Sequence, residues 1–560
     1  MSKCKNCSQE FEITKKDLEF YEKVSPSFSG EKFIIPPPTH CPDCREQRRL
    51  GQCNELNLYK SKCDLCQKFT LTYFPPHAKQ PIYCRECWHS DKWDPRDYGQ
   101  DYDPNRSFFE QWEEVRKKTP AQALSIQGRI ENSEYVHLTG DSKNCYLTMH
   151  ADMNEDCYYG YGIKKCRSCV DGFYNIYSEL CYEGIDCHSC YNLKNCQDCF
   201  SCSDGAFLRD CKGSKNCFLS TGLRNKEFYF KNNPYTKEEY KKLVGAIDLG
   251  SYIQYQECFK EFEELQREHI YKEFQGFKLE NSFGMHLYNC KDTTYSFDCD
   301  DVEHGKFLYQ VVIGAKDVYD IYQYGNKLEL SYESAVCGQS SYNLLFCFET
   351  HYSTNVYYSW YIEHGKNLFG CSNLHHQNYC ILNKQYTKEE YEELVPEIIE
   401  NMIEDGEYGE FFPISRSPFA YNKTMSQIFY PHTREEVAQK GWDWDEFEPQ
   451  LEGIKTIKAQ DLPDHIKDVD DSILEKGIIC EISGKPFKIT KQELEFYREQ
   501  NLPLPRRHWL ERYKARLSKR TPRRFWDRKC DKCAKKMQTS YSPDRPEKIY
   551  CEKCYLEEMY

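Results

Sequence analysis

What this sequence lacks sets its first limits. It has no stretch of about 18 uncharged apolar residues that would span a bilayer. Its start, MSKCKNCSQEFEITKK, has no apolar core behind a basic head of the kind that directs secretion. Methionine and tryptophan are scarce, 8 of each among 560 residues, and mean hydropathy is -0.83. No nucleotide-binding motif and no placed catalytic aspartate stand out. These absences lead to the expectation of a soluble, cytoplasmic protein with no membrane partner. In that reducing compartment, the 33 cysteines should be thiols or metal-bound thiolates rather than disulfides. The apolar character sits in 45 tyrosines and 32 phenylalanines, which suits many strands better than a few large helices. At 560 residues, the chain is too long for one core.

Cysteines near both ends carry metal-ligand spacing. Cys63, Cys66, Cys84 and Cys87 form two CxxC knuckles separated by 67–83, and Cys530, Cys533, Cys551 and Cys554 repeat that spacing across 534–550. The intervening text also repeats, TYFPPHAKQPIYC answering SYSPDRPEKIYC. Four thiolates at this spacing suit tetrahedral zinc, so both are read as zinc ribbons. A third pair, Cys4/Cys7 and Cys41/Cys44, spans 33 residues that include EFEITKKDLEFYEK, with Thr14 and Asp17 at capping-box spacing. The carboxy-terminal module repeats that text as PFKITKQELEFYRE behind Cys480. There Ser483, His508 and Glu511 replace the other three cysteines, so this fourth site is expected to be empty and held by packing. About three structural zinc sites are expected.

The middle is a second duplication. ENS at 131–133 returns at 280–282, and YTKEEY at 235–240 returns at 386–391, offsets of 149 and 151 residues. Inside the first copy, Cys145, Cys157, Cys169 and Cys181 stand 12 apart, most cysteines here are trailed by Tyr or Phe, and turn residues precede them. The second copy keeps the rhythm with cysteine replaced, as in AKDVYD at 315–320 and GKNLFG at 365–370. A beat of 9 to 12 residues predicts a β-solenoid with two beats per rung of about 18 to 24 residues. Alternation along each short strand would point Cys and Leu inward and Tyr outward. A rival reading gives Cys166, Cys169, Cys187, Cys190, Cys196, Cys199 and Cys202 further metal, an iron–sulfur cluster or a redox role. Replacement of such cysteines by Val, Leu and Phe in the second copy counts against it.

The expected fold is therefore mainly β: a duplicated, parallel β-helix-like solenoid with helical connectors, flanked by zinc-ribbon modules. The expected divisions are a tandem zinc module at 1–95, a helical linker at 96–129, solenoid units at 130–233 and 279–384, a helical connector at 234–278, a helix and acidic linker at 385–475, and the degraded zinc module at 476–560. Thr236–Glu239, Thr387–Glu390 and Thr433–Glu436 have capping-box spacing and predict helix starts.

Charge is uneven. The chain carries -14, yet 501–536 holds 14 Lys and Arg against 3 acids. Arg506, Arg507, Arg512, Lys514, Arg516, Lys519, Arg520, Arg523, Arg524 and Arg528 are interleaved with Trp509, Tyr513, Phe525 and Trp526, a pattern suited to phosphate contacts and base stacking. Arg45, Arg48 and Arg49 are a smaller echo behind Cys44. The alternative is that the basic face neutralises acidic parts of the same chain. RNA, DNA or a ribonucleoprotein is the expected partner, with other proteins on the tyrosine faces as the rival. Catalysis would need a Glu–His pair such as the EHGK tetrapeptides at 303–306 and 363–366. These fall where SKN falls in the first copy, which reads better as a corner variant.

The runs IPPPTHCPDCREQRRL and DKWDPRDYG, the Cys–aromatic array and the ending CDKCAKKMQTSYSPDRPEKIYCEKC resemble, over essentially the whole chain, a family of cysteine-rich zinc-ribbon proteins of candidate phyla radiation (Patescibacteria) bacteria. The resemblance implies a bacterial cytoplasmic origin. It brings no activity and no catalytic residues.

Overall fold

In the computed structural model, residues 1–312, 314–448 and 453–560 are described. Part of the acidic linker, 449–452, lies outside them. The protein is mainly β and divides into two units, each built from two distant pieces of chain. Unit 1 joins 1–124 to 274–447, and unit 2 joins 125–273 to 448–560. Each unit thus combines one cysteine-rich terminal module with the copy of the central repeat that lies farther from it in sequence.

In unit 2 the repeat rises in coils, each pairing in parallel with the next. Val136 pairs with Thr148, Tyr146 with Tyr158, Phe173 with Ile185, and Ser203 with Lys215. Every one of these pairs joins i to i+12, so the expected rung of two beats is corrected to a single full beat of the cysteine array. Strand alternation is corrected as well, because the local period is three. Asn144, Leu147, His150, Met153, Asp156 and Tyr159 all have φ between 48° and 55°, the left-handed region. Two extended residues and one left-handed residue make a side. Four sides close a coil, so every third residue points inward: Cys145, Ala151, Cys157, Ile163, Cys166 and Cys169 all belong to one buried core. The residue after each of these lies outside that core, and some, such as Tyr158 and Val170, are buried in a second core beside the coils. Leu147, expected inside with Cys145, is instead left-handed and half-buried.

A non-glycine left-handed residue costs roughly 1–2 kcal/mol. Asn and Asp bear it best, and stacking adds compensation. Asn132, Asn144 and Asp156 lie directly above one another, the amides donating at 3.2 and 2.9 Å. Gly160, Gly172 and Gly184 share one inward column. A Cβ on Gly172 would meet Asn175 at 3.0 Å and Ile163 at 3.1 Å, so glycine makes room for both.

The inward cysteines are hydrogen-bonded core residues. The Cys157 thiol faces the carbonyls of Glu155 and Cys166 at 3.3 and 3.5 Å, and that of Cys190 faces His188 and Cys199 at 3.3 and 3.4 Å. A thiol is small enough for the corner and supplies a weak donor to carbonyls that water cannot reach. Inward Ser and Asn cover the complementary need: Asn154 accepts from Cys166 N–H at 2.9 Å, and Asn175 from Cys187 N–H at 3.1 Å.

Unit 1 has the same design with a less regular coil length. Its coils open at an 11-residue offset (Glu280 with Lys291), widen to 13 (Glu303, Lys316, Glu329, Tyr342) and settle at 12 (Thr354, Lys366, Asn378). The core is now mostly Val, Leu and Ile, with Val318 and Leu368 fully buried in the cysteine positions of AKDVYD and GKNLFG. Burial pushes the remaining thiols of Cys347 and Cys380 up to about 12, so they stay protonated donors. An Asn343–Asn355–Asn367–Asn378 ladder runs at 2.9, 3.0 and 3.2 Å.

The helix starts at Thr14, Thr236, Thr387 and Thr433 all carry complete capping boxes, as does Thr490. In unit 2, the linker places Leu462, Ile466, Val469 and Ile473 in a core shared with Tyr158, Tyr182, Tyr255 and Tyr497. No helix among the described residues is long and apolar enough to cross a membrane.

Candidate metal centres and basic surfaces

Three groups of four cysteines converge: Cys4, Cys7, Cys41 and Cys44; Cys63, Cys66, Cys84 and Cys87; and Cys530, Cys533, Cys551 and Cys554. In each, the four sulfurs lie within 4.8 Å of one another. The construction is the same each time. The first knuckle sits in the turn of an antiparallel pair, Ser2–Lys3 with Glu10–Phe11, Tyr59–Lys62 with Phe69–Thr72, and Trp526–Lys529 with Lys536–Thr539. Ser8, Gln67 and Ala534 follow it with φ near 60°, and each returns its N–H to the carbonyl of the first cysteine. The second knuckle opens a helix, Cys41 before Pro42–Leu50, Cys84 before Arg85–Trp88, and Cys551 before Glu552–Met559.

The geometry fits zinc. A tetrahedral ion with Zn–S near 2.3 Å requires S···S edges of about 3.8 Å. One edge of each site has this length: Cys7–Cys41 is 3.6 Å, Cys66–Cys84 3.9 Å and Cys533–Cys551 3.7 Å. Backbone donors already face sulfur, Cys84 N–H to Cys63 at 3.3 Å and Cys551 N–H to Cys530 at 3.2 Å. Burial pushes the first thiol of each site up, but knuckle N–H groups outweigh it and leave Cys4 lowered to about 6, Cys63 to about 7 and Cys530 to about 6. Burial raises other thiols of the same tetrads, Cys7, Cys84 and Cys551 among them, so a bound ion would have to displace their protons; with that, the three sites could hold zinc as thiolates, the form that binds metal.

The fourth, degraded site keeps the turn and loses the ligands. Gly484 has φ +68° and donates to the Cys480 carbonyl at 3.1 Å. His508 instead caps the Trp509–Ser518 helix, its ring accepting from Leu510 N–H at 3.1 Å, and burial lowers it to about 4. Glu511 pairs with Lys514 at 3.1 Å. Among the described residues, neither this set nor Cys166–Cys202 forms a metal-holding group.

The basic stretch divides in two. Arg512 and Arg516, one helical turn apart, are buried on the single carboxylate of Asp171; Arg516 reaches it at 2.8 Å. Arg520 pairs with Asp186 at 2.9 Å, and Lys519 packs over Phe259 with its ammonium 3.3 Å from Asn195 Oδ1. The expectation that all ten basic residues present one phosphate-facing surface is thus corrected for these four. The three arginines neutralise acids of the coils in their own unit, while Lys519 is taken up by a ring and an amide oxygen, because a helix laid on a coil must bury the charges it carries. Arg507, Lys514 and Arg524 are exposed, while Arg506, Arg523 and Arg528 are half-buried.

Unit 1 repeats this lock at equivalent positions. Arg45 and Arg49 on the Pro42–Leu50 helix meet Asp320 at 2.9 and 3.4 Å, and Arg48 spans Glu333 and Glu410 at 2.5 Å each. Asp171 and Asp320 are separated by the same interval as Glu131 and Glu280, the offset of the central duplication. Neither stands out in the sequence. The one available signal was their pairing across that repeat, matched to Arg pairs spaced i, i+4 in the two modules.

The EHGK tetrapeptides are corners. His304 and His364 have φ near 54°; His304 lies between Asp292 and Asp317, and His364 stacks between Tyr352 and His376 at 4.8 and 4.6 Å. No protein-family model matches this chain, and no curated protein is significantly similar to it.

Proposed function

We propose that this protein is a non-enzymatic, zinc-stabilised binding scaffold of the cytoplasm, its two coil stacks being β-solenoids that hold the zinc modules in place. Nucleic acid or a ribonucleoprotein is its partner, taken by the carboxy-terminal module. The observation that carries this reading is what remains after the internal ion pairs are made. Arg524, Lys529, Lys535 and Lys536 stay exposed on and beside the zinc hairpin with no carboxylate within 4.0 Å among the described residues, and Arg524 lies 5.7 Å over Trp526. Unpaired cations beside an aromatic ring suit a phosphate backbone and a stacked base.

The test is fluorescence anisotropy with short RNA and DNA across a salt series. Truncating at Glu475 would bare the core that Leu494 and Tyr497 share with Tyr182, so charge-removing substitutions are preferable. Affinity should fall steeply between 50 and 200 mM salt, and Arg524→Gln with Lys529→Gln and Lys536→Gln should weaken it about tenfold or more. Absence of binding at low salt ends this reading. The second reading, a protein–protein scaffold, is favoured by tyrosines left exposed along the coils, Tyr177, Tyr191, Tyr295, Tyr342 and Tyr352. Such an interface would change far less with salt.

A further inference from the structure

A cleft of about 130 Å³ opens in unit 2 against the Tyr252–Glu268 and Trp509–Ser518 helices. Its apolar wall is Tyr252, Tyr255 and Phe259, with Tyr182 from the coils. Its polar side is cationic, and the cations are not equally satisfied. Arg507 is held by Glu481 at 2.8 Å and Arg516 by Asp171 at 2.8 Å. Arg506 lies over the Tyr252 ring at 3.8 Å, and Lys519 sits 4.6 Å over Phe259 with the Asn195 amide oxygen at 3.3 Å; among the described residues neither has a carboxylate within 4.0 Å. Arg512, 5% exposed, lines the same cleft but is committed to Asp171, with Glu493 3.9 Å from its Nη2; among the described residues its Nε and Nη2 donors make no hydrogen bond. Of the two acids on the wall, Glu481 serves Arg507, and Glu183 accepts from the Tyr255 hydroxyl and the Asn195 amide at 3.4 Å.

The geometry points to this cleft as a binding site for a small aromatic oxoanion, an arene carboxylate or an aryl phosphate, its ring against Tyr252, Tyr255 and Phe259 and its charge toward Arg506 and Lys519. At about 130 Å³ the cleft is close to, and slightly below, the roughly 150 Å³ of an enclosed apolar cavity that takes benzene; because it opens to solvent, it can seat one ring with the anionic group toward its mouth, whereas drug-sized ligands need roughly 300–1,000 Å³. A planar guanidinium suits a two-oxygen anion, and a desolvated ammonium gains most from a counter-charge. Burial lowers the Lys519 amine from its ordinary range, a cost that a bound anion removes. The site does not depend on the proposed nucleic-acid reading, because it accounts for cations that face a cleft too small for a polymer.

Isothermal titration of the zinc-loaded full chain with benzoate, phenyl phosphate, inorganic phosphate and benzyl alcohol tests it. Benzoate, phenyl phosphate or both should bind at about 1 mM or tighter, and comparing the two identifies the preferred anion. Inorganic phosphate and benzyl alcohol, each lacking half of the recognised group, should bind about tenfold or more weakly. Lys519→Gln should weaken the aromatic anion about tenfold, and Ala515→Phe, which fills the cleft without changing charge, should abolish binding. Unchanged tryptophan emission and zinc content would establish that each variant is folded; if one variant does not fold, the other decides. Absence of binding by both aromatic anions, inorganic phosphate binding as tightly as phenyl phosphate, or indifference to the folded variants would each overturn the assignment.

Discussion

Asp320→Ala should be among the most damaging single changes in unit 1. Asp320 has no solvent exposure and holds two buried guanidinium groups, Arg45 at 2.9 Å and Arg49 at 3.4 Å. The next carboxylate, Glu333, stands 3.8 Å from Arg49 and is already engaged by Arg48 at 2.5 Å. Charges about 4 Å apart at an effective dielectric near 20 attract by about 4 kcal/mol. Two such pairs are lost, and the saved cost of burying the carboxylate offsets part of that. A net loss of about 3–5 kcal/mol is expected, the range for a buried pair broken on one side. Urea unfolding followed by tryptophan emission reads unit 1 well, since the fully buried Trp88, Trp112 and Trp360 all belong to it. Asp320→Asn, which keeps the shape and loses the charge, should fall between parent and Asp320→Ala. Glu19→Ala, which breaks an exposed contact with Lys15, should leave the midpoint in place. If Asp320→Ala moved the midpoint no more than Glu19→Ala does, the lock would not be what fastens the cysteine-rich module to the coils.

Metal analysis should find three zinc ions per chain; Cys551→Ser should lower this to two, while Cys190→Ser should leave it at three, and a fourth ion lost on changing Cys190 would revive metal in the coils. His351 is buried, and burial lowers its ring to about 3 from an ordinary value near 6.5. The unfolded chain therefore binds the extra proton between those values, so this contribution is whole above pH 6.5 and fades as pH falls. Going from pH 7 to 5 should cost about 2 kcal/mol more in the parent than in His351→Leu, measured by paired urea curves; parallel curves would refute it. Asn355 is left-handed at φ 54° and bonded on both sides of its ladder. Asn355→Val should cost about 2–3 kcal/mol and Asn355→Gly clearly less, because glycine restores the backbone preference though not the amide bonds. Equal losses would show that the ladder alone matters.

Much of the metal chemistry was legible because it is local. A CxxC knuckle fixes its own turn, and a second knuckle one hairpin away, at Cys84 after Cys63 and at Cys551 after Cys530, leaves few alternatives, so spacing alone located the sulfurs. The capping boxes at Thr14, Thr236, Thr387 and Thr433 were legible for the same reason, their partners lying within the same helical turn. The beat of the cysteine array also announced a repeating β structure. Its geometry is not legible there, because strand alternation has period two and these coils have period three. A left-handed residue at every third position, tolerated by Asn144 and Asp156 but also forced on Leu147 and Tyr159, is not a preference that composition reveals.

The sequence by itself therefore determined the three cysteine tetrads, the helix starts and the duplicated rhythm, each a matter of close neighbours or of a repeated period. Only the tertiary structure decided which side chains the basic stretch would spend internally. Arg512 and Arg516 read as a nucleic-acid surface until the coil carrying Asp171, from the far side of the second repeat in sequence, is laid beneath their helix. It also decided that each terminal module joins the copy of the repeat farther from it in sequence. Burial fixes such choices: a guanidinium in a core must find its carboxylate wherever the chain brings one, and no local pattern records that distance.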